Sequence, residues 1–376
     1  MSELTEQDLE LLTDTASRFF DEQLPISSLR QLREDVDETG FDRRLWREMA
    51  EMGWAGILLD EAHGGVDFGY AALGIILEQS GRTLAASPLV STVLLGAQII
   101  SLAGSDAQRD EILSGVAGGD VILALAHEES GRHAPHLIET RAVQDGSNYV
   151  LNGRKIFVLD GHIADQLIVV ARNHGENQDT DGISLFVVDA NAPGINRIRT
   201  ILVDGRNAAT IEFTDVTAAS LGTIGSGFII LEPILDGARA GLAAEMLGTG
   251  VEAFERTIEY LKVREQFGAQ LGSFQSLKHR AAEMYCEIEL ARSATYGALE
   301  AIDAHDPESA KLTSIAKAKA CEMLELVSNE ALQMHGGIGM TDESDIGLFM
   351  KRARVAQQIL GDALYHRERF AALVGL

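Results

Sequence analysis

The hydrophobic period of this chain changes twice, and that change restricts its architecture more than any single residue does. Near the start, Leu9, Leu12, Ala16 and Phe19 or Phe20 recur at helical spacing. An apolar stretch with small residues runs over 71–77 and is broken by Gly81. Ser87-Pro88 reads as an N-cap with proline in the first helical position, and the segment it opens, 89–103, is apolar on most faces and predicts a buried helix. From Val121 the pattern becomes strand-like. Tyr149-Val150-Leu151, Asn152-Gly153 and residues 155–159 read as a hairpin, because Asn-Gly supplies the positive φ of a type I′ turn. More β-rich runs cover 167–171, 183–188 and 210–213, with a polar loop at 172–181. From Gly227 the helical period returns, with Leu231, Leu235, Ala238, Leu242 and Met246 on one stripe and glycine-rich breaks at Gly248 and Gly250. Further helices are expected over 249–263, 273–302, 308–335 and 343–371. Only six prolines occur in 376 residues, as long helices require.

This order, helical, then β, then helical, predicts an α+β multidomain chain: an N-terminal helical domain over 1–120, a middle β domain over 121–225, and a C-terminal domain like a four-helix bundle over 226–376. A formal charge of −26 argues against a nucleic-acid partner. No apolar run reaches the roughly 20 residues of a membrane helix. The acidic, amphipathic N-terminus has neither the basic start nor the apolar core of a secretory signal. Two distant cysteines, Cys286 and Cys321, point to a reducing compartment without a zinc site. The expectation is a cytoplasmic protein.

Three segments carry chemistry. In Arg264-Glu265-Gln266-Phe267-Gly268 an arginine fork suits phosphate oxygens, an aromatic can cover a purine, and glycine ends a helix. Alone it reads equally as a helix C-terminus with a dipole-compensating arginine. Phe274-Gln275 follows, and Gln333-Met334-His335-Gly336-Gly337 lies further on, where backbone amides can approach a ligand. Asp236-x-x-Arg239 sits on a helix and reads equally as an i,i+3 ion pair. No GxGxxG follows a strand, so a Rossmann reading is unsupported.

Together these segments resemble the acyl-CoA dehydrogenase family, and the resemblance covers nearly the whole chain. It implies that family's fold, with a central β-barrel-like domain, and FAD as cofactor. It assigns Arg264, Gln266, Phe267, Phe274, Gln275, Gln333, Gly336 and Gly337 to the FAD pyrophosphate and adenosine, usually across a subunit boundary. Phe157 and Gly131 would lie near the flavin ring, and Asp236 and Arg239 at the acyl-CoA entrance. The reaction implied is α,β-desaturation of a CoA thioester, with an electron-transfer flavoprotein as acceptor and a homo- or hetero-oligomer, dimer or tetramer, as the assembly.

Departures from the family pattern are as informative. The flavin loop, commonly Thr-Glu-Pro-x-x-Gly-Ser-Asp, is here Ala126-His127-Glu128-Glu129-Ser130-Gly131-Arg132-His133, and only Gly131 matches. A Trp-Ile-Thr segment is replaced by Phe157-Val158-Leu159. His127, His133 and His136 with Glu128 fit no helical or strand ligand face, so no metal is expected. Proton removal from the α-carbon needs a carboxylate, and the resemblance puts Gly361 where most members carry the glutamate, and Ala238 at the alternative location. Asp362 and Glu245 are the nearby carboxylates. The Gly361-to-Arg369 ending resembles small subunits of pimeloyl-CoA dehydrogenase, which implies a base-lacking subunit of a heteromeric enzyme. Alternatives are a self-sufficient enzyme using Asp362 or Glu245, a non-catalytic acyl-CoA/FAD-binding partner protein, and a flavin monooxygenase on the same fold. Gly361 would leave room at the reacting end for a branched, cyclic or dicarboxylic acyl group.

Overall fold

A computed structural model describes residues 4–376 of the chain. Its elements run α1 (Glu6–Gln23), α2 (Ile26–Asp35), α3 (Arg43–Glu51), α4 (Gly69–Arg82), a π-helical segment (Leu89–Gly96), α5 (Ala97–Ala103) and α6 (Asp106–Ala117). Then come β1 (Leu123–Ala126), β2 (Arg141–Asp145), β3 (Asn148–Leu159), β4 (Gln166–Arg172), β5 (Ile183–Asp189), β6 (Ile195–Ile201) and β7 (Asn207–Leu221). The chain ends in α7 (Gly227–Val263), β8 (Glu265–Gln266), β9 (Ala269–Gln270), α8 (Gln275–Asp303), α9 (Ser309–His335), α10 (Ile346–Gln358) and α11 (Ala363–Leu373). The α+β multidomain architecture expected from the period is present: helices, a central β region and a helical C-terminal part.

The chain divides into two compact units. One comprises residues 35–69 and 86–238, the other 4–34, 70–85 and 239–376.

In the first unit, β4 pairs with β5, β5 with β7, β7 with β3, β3 with β2, and β2 returns to β4 at Arg141 and Arg172. That ring is a small barrel, with β1 parallel to β4 and β6 paired with the outside edge of β7. Leu151, Val158, Leu167, Val169, Phe186, Ile211 and Val216 fill it. The hairpin turn falls at Gly146-Ser147, not at Asn152-Gly153, which lies within the 12-residue β3 at a register shift. A side-chain carbon on Gly153 would stand 2.7 Å from the Thr140 Cα, so this glycine serves a close approach inside a strand and not a turn. Ser87 does not cap the buried segment either: Pro88 occupies the cap position, no side chain caps the free amides, and Leu89–Gly96 is wound as a π-helix with all eight residues buried.

The polar loop after β4 has no apolar pattern because a buried cation organises it. The Arg172 guanidinium is fully buried and donates to the carbonyls of Ile138 (3.1 Å), Asp179 (2.6 Å), Asp181 (2.8 Å) and Asn177 (3.2 Å). Those bonds satisfy loop carbonyls that have no ladder partner.

In the second unit α7 runs unbroken through Gly248 and Gly250. These glycines are therefore not breaks but contact points. A side-chain carbon on Gly248 would lie 1.8 Å from the Glu78 carbonyl oxygen, and one on Gly81 2.0 Å from that of Glu245, so α4 and α7 touch backbone to backbone. The helix expected over 343–371 is in fact two, α10 and α11, separated by Leu360 (φ 58°) and Gly361 (φ 99°). Left-handed backbone at two successive residues ends α10 and redirects the chain.

Gly248→Ala is expected to force α4 and α7 apart and cost about 3 kcal/mol. Gly297→Ala on α8, where an added carbon meets nothing within 4 Å, should be neutral or stabilise by up to about 1 kcal/mol. Urea unfolding of both variants checks this; equal midpoints would contradict the contact.

Candidate functional site

The Arg264 segment forms a two-residue hairpin, not a helix cap. α7 ends at Val263, β8 and β9 pair Glu265 with Gln270 and Gln266 with Ala269, and Phe267 (φ 55°) and Gly268 (φ 76°) make the turn. Both central residues have positive φ, as in a type I′ turn, and Phe267 is 92% exposed there. Its ring meets that of Phe274, the residue that opens α8, edge-on at 6.4 Å. Arg264, Gln266 and Gln275 are exposed, and Arg264 pairs with no carboxylate among the described residues.

Gln333 lies in the last turn of α9, and Gly336 and Gly337 open the 3-10 turn Gly336–Met340. Added side-chain carbons at both glycines would meet open space, so their backbone can be approached from outside. Tyr260, in the last turn of α7, stacks on His335 at 4.3 Å and 21° and donates from its hydroxyl to the His335 carbonyl (3.3 Å). This ties the base of the Arg264 hairpin to the glycine turn. An open depression of about 660 Å³ adjoins the pair, lined by Arg82, Arg256, Glu255, Glu259 and Asp345 among others. Phe157 and Gly131 belong to the other unit: Phe157 is half-buried with φ 52°, and Gly131 is exposed.

Asp236 and Arg239 are both buried on α7. Arg239 donates from Nη2 to the Tyr365 hydroxyl (3.2 Å), and its guanidinium carbon lies 5.6 Å from the centre of that ring. Tyr365 was not singled out by sequence reasoning, yet it decides what Gly361 can be. A side-chain carbon on Gly361 would stand 2.4 Å from the Tyr365 ring and 3.0 Å from His366 Nε2. The expected spare room at Gly361 is thus absent, because the tyrosine ring fills it. Beneath the break, the fully buried Lys317 donates to the carbonyls of Gly361 (2.9 Å) and Ala356 (3.3 Å) and contacts the Cys321 sulfur (3.3 Å). Burial pushes this ammonium's pKa down, which the Cys321 contact opposes. Its sequence signal is a lysine on the stripe Thr313, Lys317, Cys321, Leu324, whose other members are apolar or small.

The two nearby carboxylates have other work. Asp362 caps α11, accepting from the Tyr365 amide at 2.8 Å. Glu245 pairs with Arg352 at 3.2 Å, both buried, and Arg352 also donates to the Leu84 carbonyl (3.1 Å).

The loop after β1 is held by a second buried lysine. Lys155 is fully buried and donates to Glu129 Oε1 (2.6 Å) and the His127 carbonyl (3.2 Å), while Glu129 accepts from the amides of Glu139 (2.5 Å) and Thr140 (3.0 Å). Burial pushes the Lys155 ammonium down to about 8, against the pull of Glu129. Burial alone would raise Glu128, but the flanking His127 and His133 hold its carboxyl well below the usual range. Further along, Asp160 (φ 54°) lines a cavity of about 30 Å³ with Leu159, Arg206 and Asn207 and accepts from the Ser91 hydroxyl at 2.6 Å. Burial raises its pKa to about 6, the Ser91 bond and Arg206 resisting.

Residues 6–120, 123–216 and 225–374 match the N-terminal, middle and C-terminal domains of acyl-CoA dehydrogenase. "Probable acyl-CoA dehydrogenase YngJ" of Bacillus subtilis is 30% identical over 86% of this chain and 88% of its own length. "Caffeyl-CoA reductase-Etf complex subunit CarC" of Acetobacterium woodii is 29% identical over 86% and 88%. A solved structure described as "Tcur3481-Tcur3483 steroid ACAD G363A variant" superposes with a TM-score of 0.89 at 34% identity, covering 98% of both chains. The chain belongs to the acyl-CoA dehydrogenase family. That family is one of oxidoreductase flavoproteins. Among the described residues no helix is long and apolar enough to cross a membrane.

Asp160 has a folded pKa above its unfolded value of 3.8, so its contribution is fully present below that value and is lost as pH rises through about 6. Asp160→Asn should therefore gain on the wild type by about 3 kcal/mol between about pH 4 and 7, read from denaturation midpoints at the two ends. Gly361→Glu should lose about 1–3 kcal/mol from left-handed strain and collision with Tyr365, and should gain no desaturase activity; a stable, active single variant would contradict the packing described.

Proposed function

We propose that this chain is a FAD-binding subunit of a heteromeric acyl-CoA dehydrogenase, acting in α,β-desaturation of a CoA thioester, and that its partner chain supplies the carboxylate base. The observation that carries this reading is the filled position at Gly361. No side chain exists there, Tyr365 occupies the space, and both neighbouring carboxylates are engaged, Asp362 as a helix cap and Glu245 in a buried ion pair. A base must reach the substrate α-carbon with a free lone pair, and the engagement of both carboxylates supports a base supplied from elsewhere. The relative whose description joins two proteins and names a glycine variant supports a paired assembly, as does the likeness of the C-terminal ending to pimeloyl-CoA dehydrogenase small subunits.

Desaturation removes a proton from the α-carbon and a hydride from the β-carbon, and FAD, when bound, is the hydride acceptor. In this chain Arg264 and Gln266 would hold the pyrophosphate, with Phe267 and Phe274 covering the adenosine. The open backbone of Gly336 and Gly337, with Gln333 and Gln275, would complete that cradle. The exposed turn and empty glycine surroundings fit a group approached from outside, including one shared with a second subunit. Phe157 and Gly131 would border the ring, now with Leu159 and Ala126 in place of hydroxyl-bearing residues. Asp236 and Arg239 would line the thioester entrance. The relative named as part of an Etf complex supports an electron-transfer flavoprotein as acceptor, and the steroid relative supports a bulky, polycyclic acyl group. Activity of the chain in the cytoplasm, as a hetero-oligomer, completes the proposal.

The test is the visible spectrum of the chain purified alone and then together with a sibling carrying the glutamate, each titrated anaerobically with acyl-CoAs. Flavin bleaching only in the joint preparation is expected. Bleaching by the chain alone would sink the base-lacking reading. Substrate hydroxylation by the reduced, aerated protein would instead favour a monooxygenase.

A further inference from the structure

The loop after β1 brings together three side chains that sequence spacing had set apart. His127 and Glu128 follow the last residue of β1, and His133 returns from the loop to the same point. One ligand atom from each, all three atoms within 4.8 Å of one another, forms a cluster of one buried and two partly buried residues. The imidazole of His133 bonds to Glu128 Oε1 through Nδ1, and His127 Nε2 approaches the same oxygen to 3.1 Å. The two rings stand edge to face at 6.0 Å.

One detail separates this cluster from an ordinary buried ion pair. His127 keeps only 8% of its side-chain surface; its Nε2 stands against Glu128 Oε1 at 3.1 Å as an ion-pair contact, and its Nδ1 has no hydrogen-bond partner. Buried polar atoms are nearly always satisfied, so an imidazole with so few contacts has capacity for a further group. A cation between the three atoms fills it. Tetrahedral ligands at about 2.0–2.1 Å from zinc stand about 3.3 Å from one another, and small side-chain rotations bring atoms already within 4.8 Å to that spacing.

We propose that His127, Glu128 and His133 form a binding site for a divalent first-row transition ion, with Zn2+ as the ion of choice. Two imidazoles and one carboxylate are a recurrent three-ligand set for zinc, leaving one position for water. The protein also supplies supports around the ligands. Lys155 pins the His127 carbonyl, and Glu129, next to Glu128, is fixed by Lys155 and by the amides of Glu139 and Thr140. Such outer contacts orient ligands before the ion arrives. Bound there, the ion ties the loop at 127–133 to the end of β1. This site does not depend on the reading of Gly361.

The test uses the full-length protein with its flavin, expressed without a histidine tag, stripped with a chelator and titrated with Zn2+ against a chromophoric competitor. One Zn2+ per chain retained through gel filtration is expected. His127→Ala and His133→Ala should each weaken binding by about 100-fold or more, since even outer partners of a ligand are worth that much. His136→Ala, three residues beyond the cluster, should leave it unchanged. Co2+ added to the unsubstituted protein reads the site without any mutation: intense visible bands of a four-coordinate ion are expected. Only the pale bands of the aqueous ion, or Zn2+ affinity equal in the wild type and both alanine variants, would overturn the assignment and leave a hydrogen-bonded His-Glu-His cluster.

Discussion

Two backbones touch in the helical unit, and much of its candidate site depends on that contact. Gly81 on α4 faces the Glu245 carbonyl and Gly248 on α7 faces that of Glu78, with the Thr249 hydroxyl donating to the Gly81 carbonyl at 3.1 Å. Helices that approach this closely leave no room for water between them, so the polar groups nearby must pair internally. Glu245 does so with Arg352, and Arg352 reaches back to the Leu84 carbonyl just past α4. Glu78 does so with Arg292 and the Tyr296 hydroxyl, each at 2.7 Å. α7 is thereby fixed against α4 and α10, and α4 against α8, while Arg239 on α7 holds the Tyr365 hydroxyl.

From that contact follows the character of residue 361. α10 stops, the chain turns through two left-handed residues, and α11 restarts with Asp362 as its cap. The cap, the buried Lys317 beneath and the tyrosine ring above are three separate constraints on one short break. Any one of them could be relieved by a small shift, but together they define a place where a side chain is excluded. The absence of a side chain at 361 is therefore a property of the local packing as well as of the residue type.

The β unit solves a different problem with the same means. Its barrel core is apolar and unremarkable, while the loops at its margin are irregular and contain carbonyls and carboxylates without ladder partners. Lys155 and Arg172, both fully buried, supply the donors. Burying a cation is costly unless every proton finds an acceptor, and here the acceptors are loop groups that would otherwise be unsatisfied. The loop carrying His127, Glu128 and His133 inherits its shape from these two cations.

The sequence by itself determined the period and hence the layers: the α–β–α order follows from residue spacing and scarce proline, because apolar stripes dictate which faces are buried whatever the neighbours are. It also carried the Phe267–Phe274 and Gln333–Gly337 segments, since local motifs keep their residue types adjacent. It misplaced features whose meaning depends on what lies opposite. Asn152-Gly153 has turn chemistry but sits inside β3, where Thr140 presses on the glycine. Gly248 has the look of a break but is a contact with α4. Residues 343–371 have a continuous helical pattern, yet Tyr365, Lys317 and the left-handed pair at 360–361 divide it. Lys155, Arg172 and Tyr365 were invisible as site-builders for the same reason: hydrogen bonds to distant carbonyls leave no periodic trace, so only the tertiary structure could decide them.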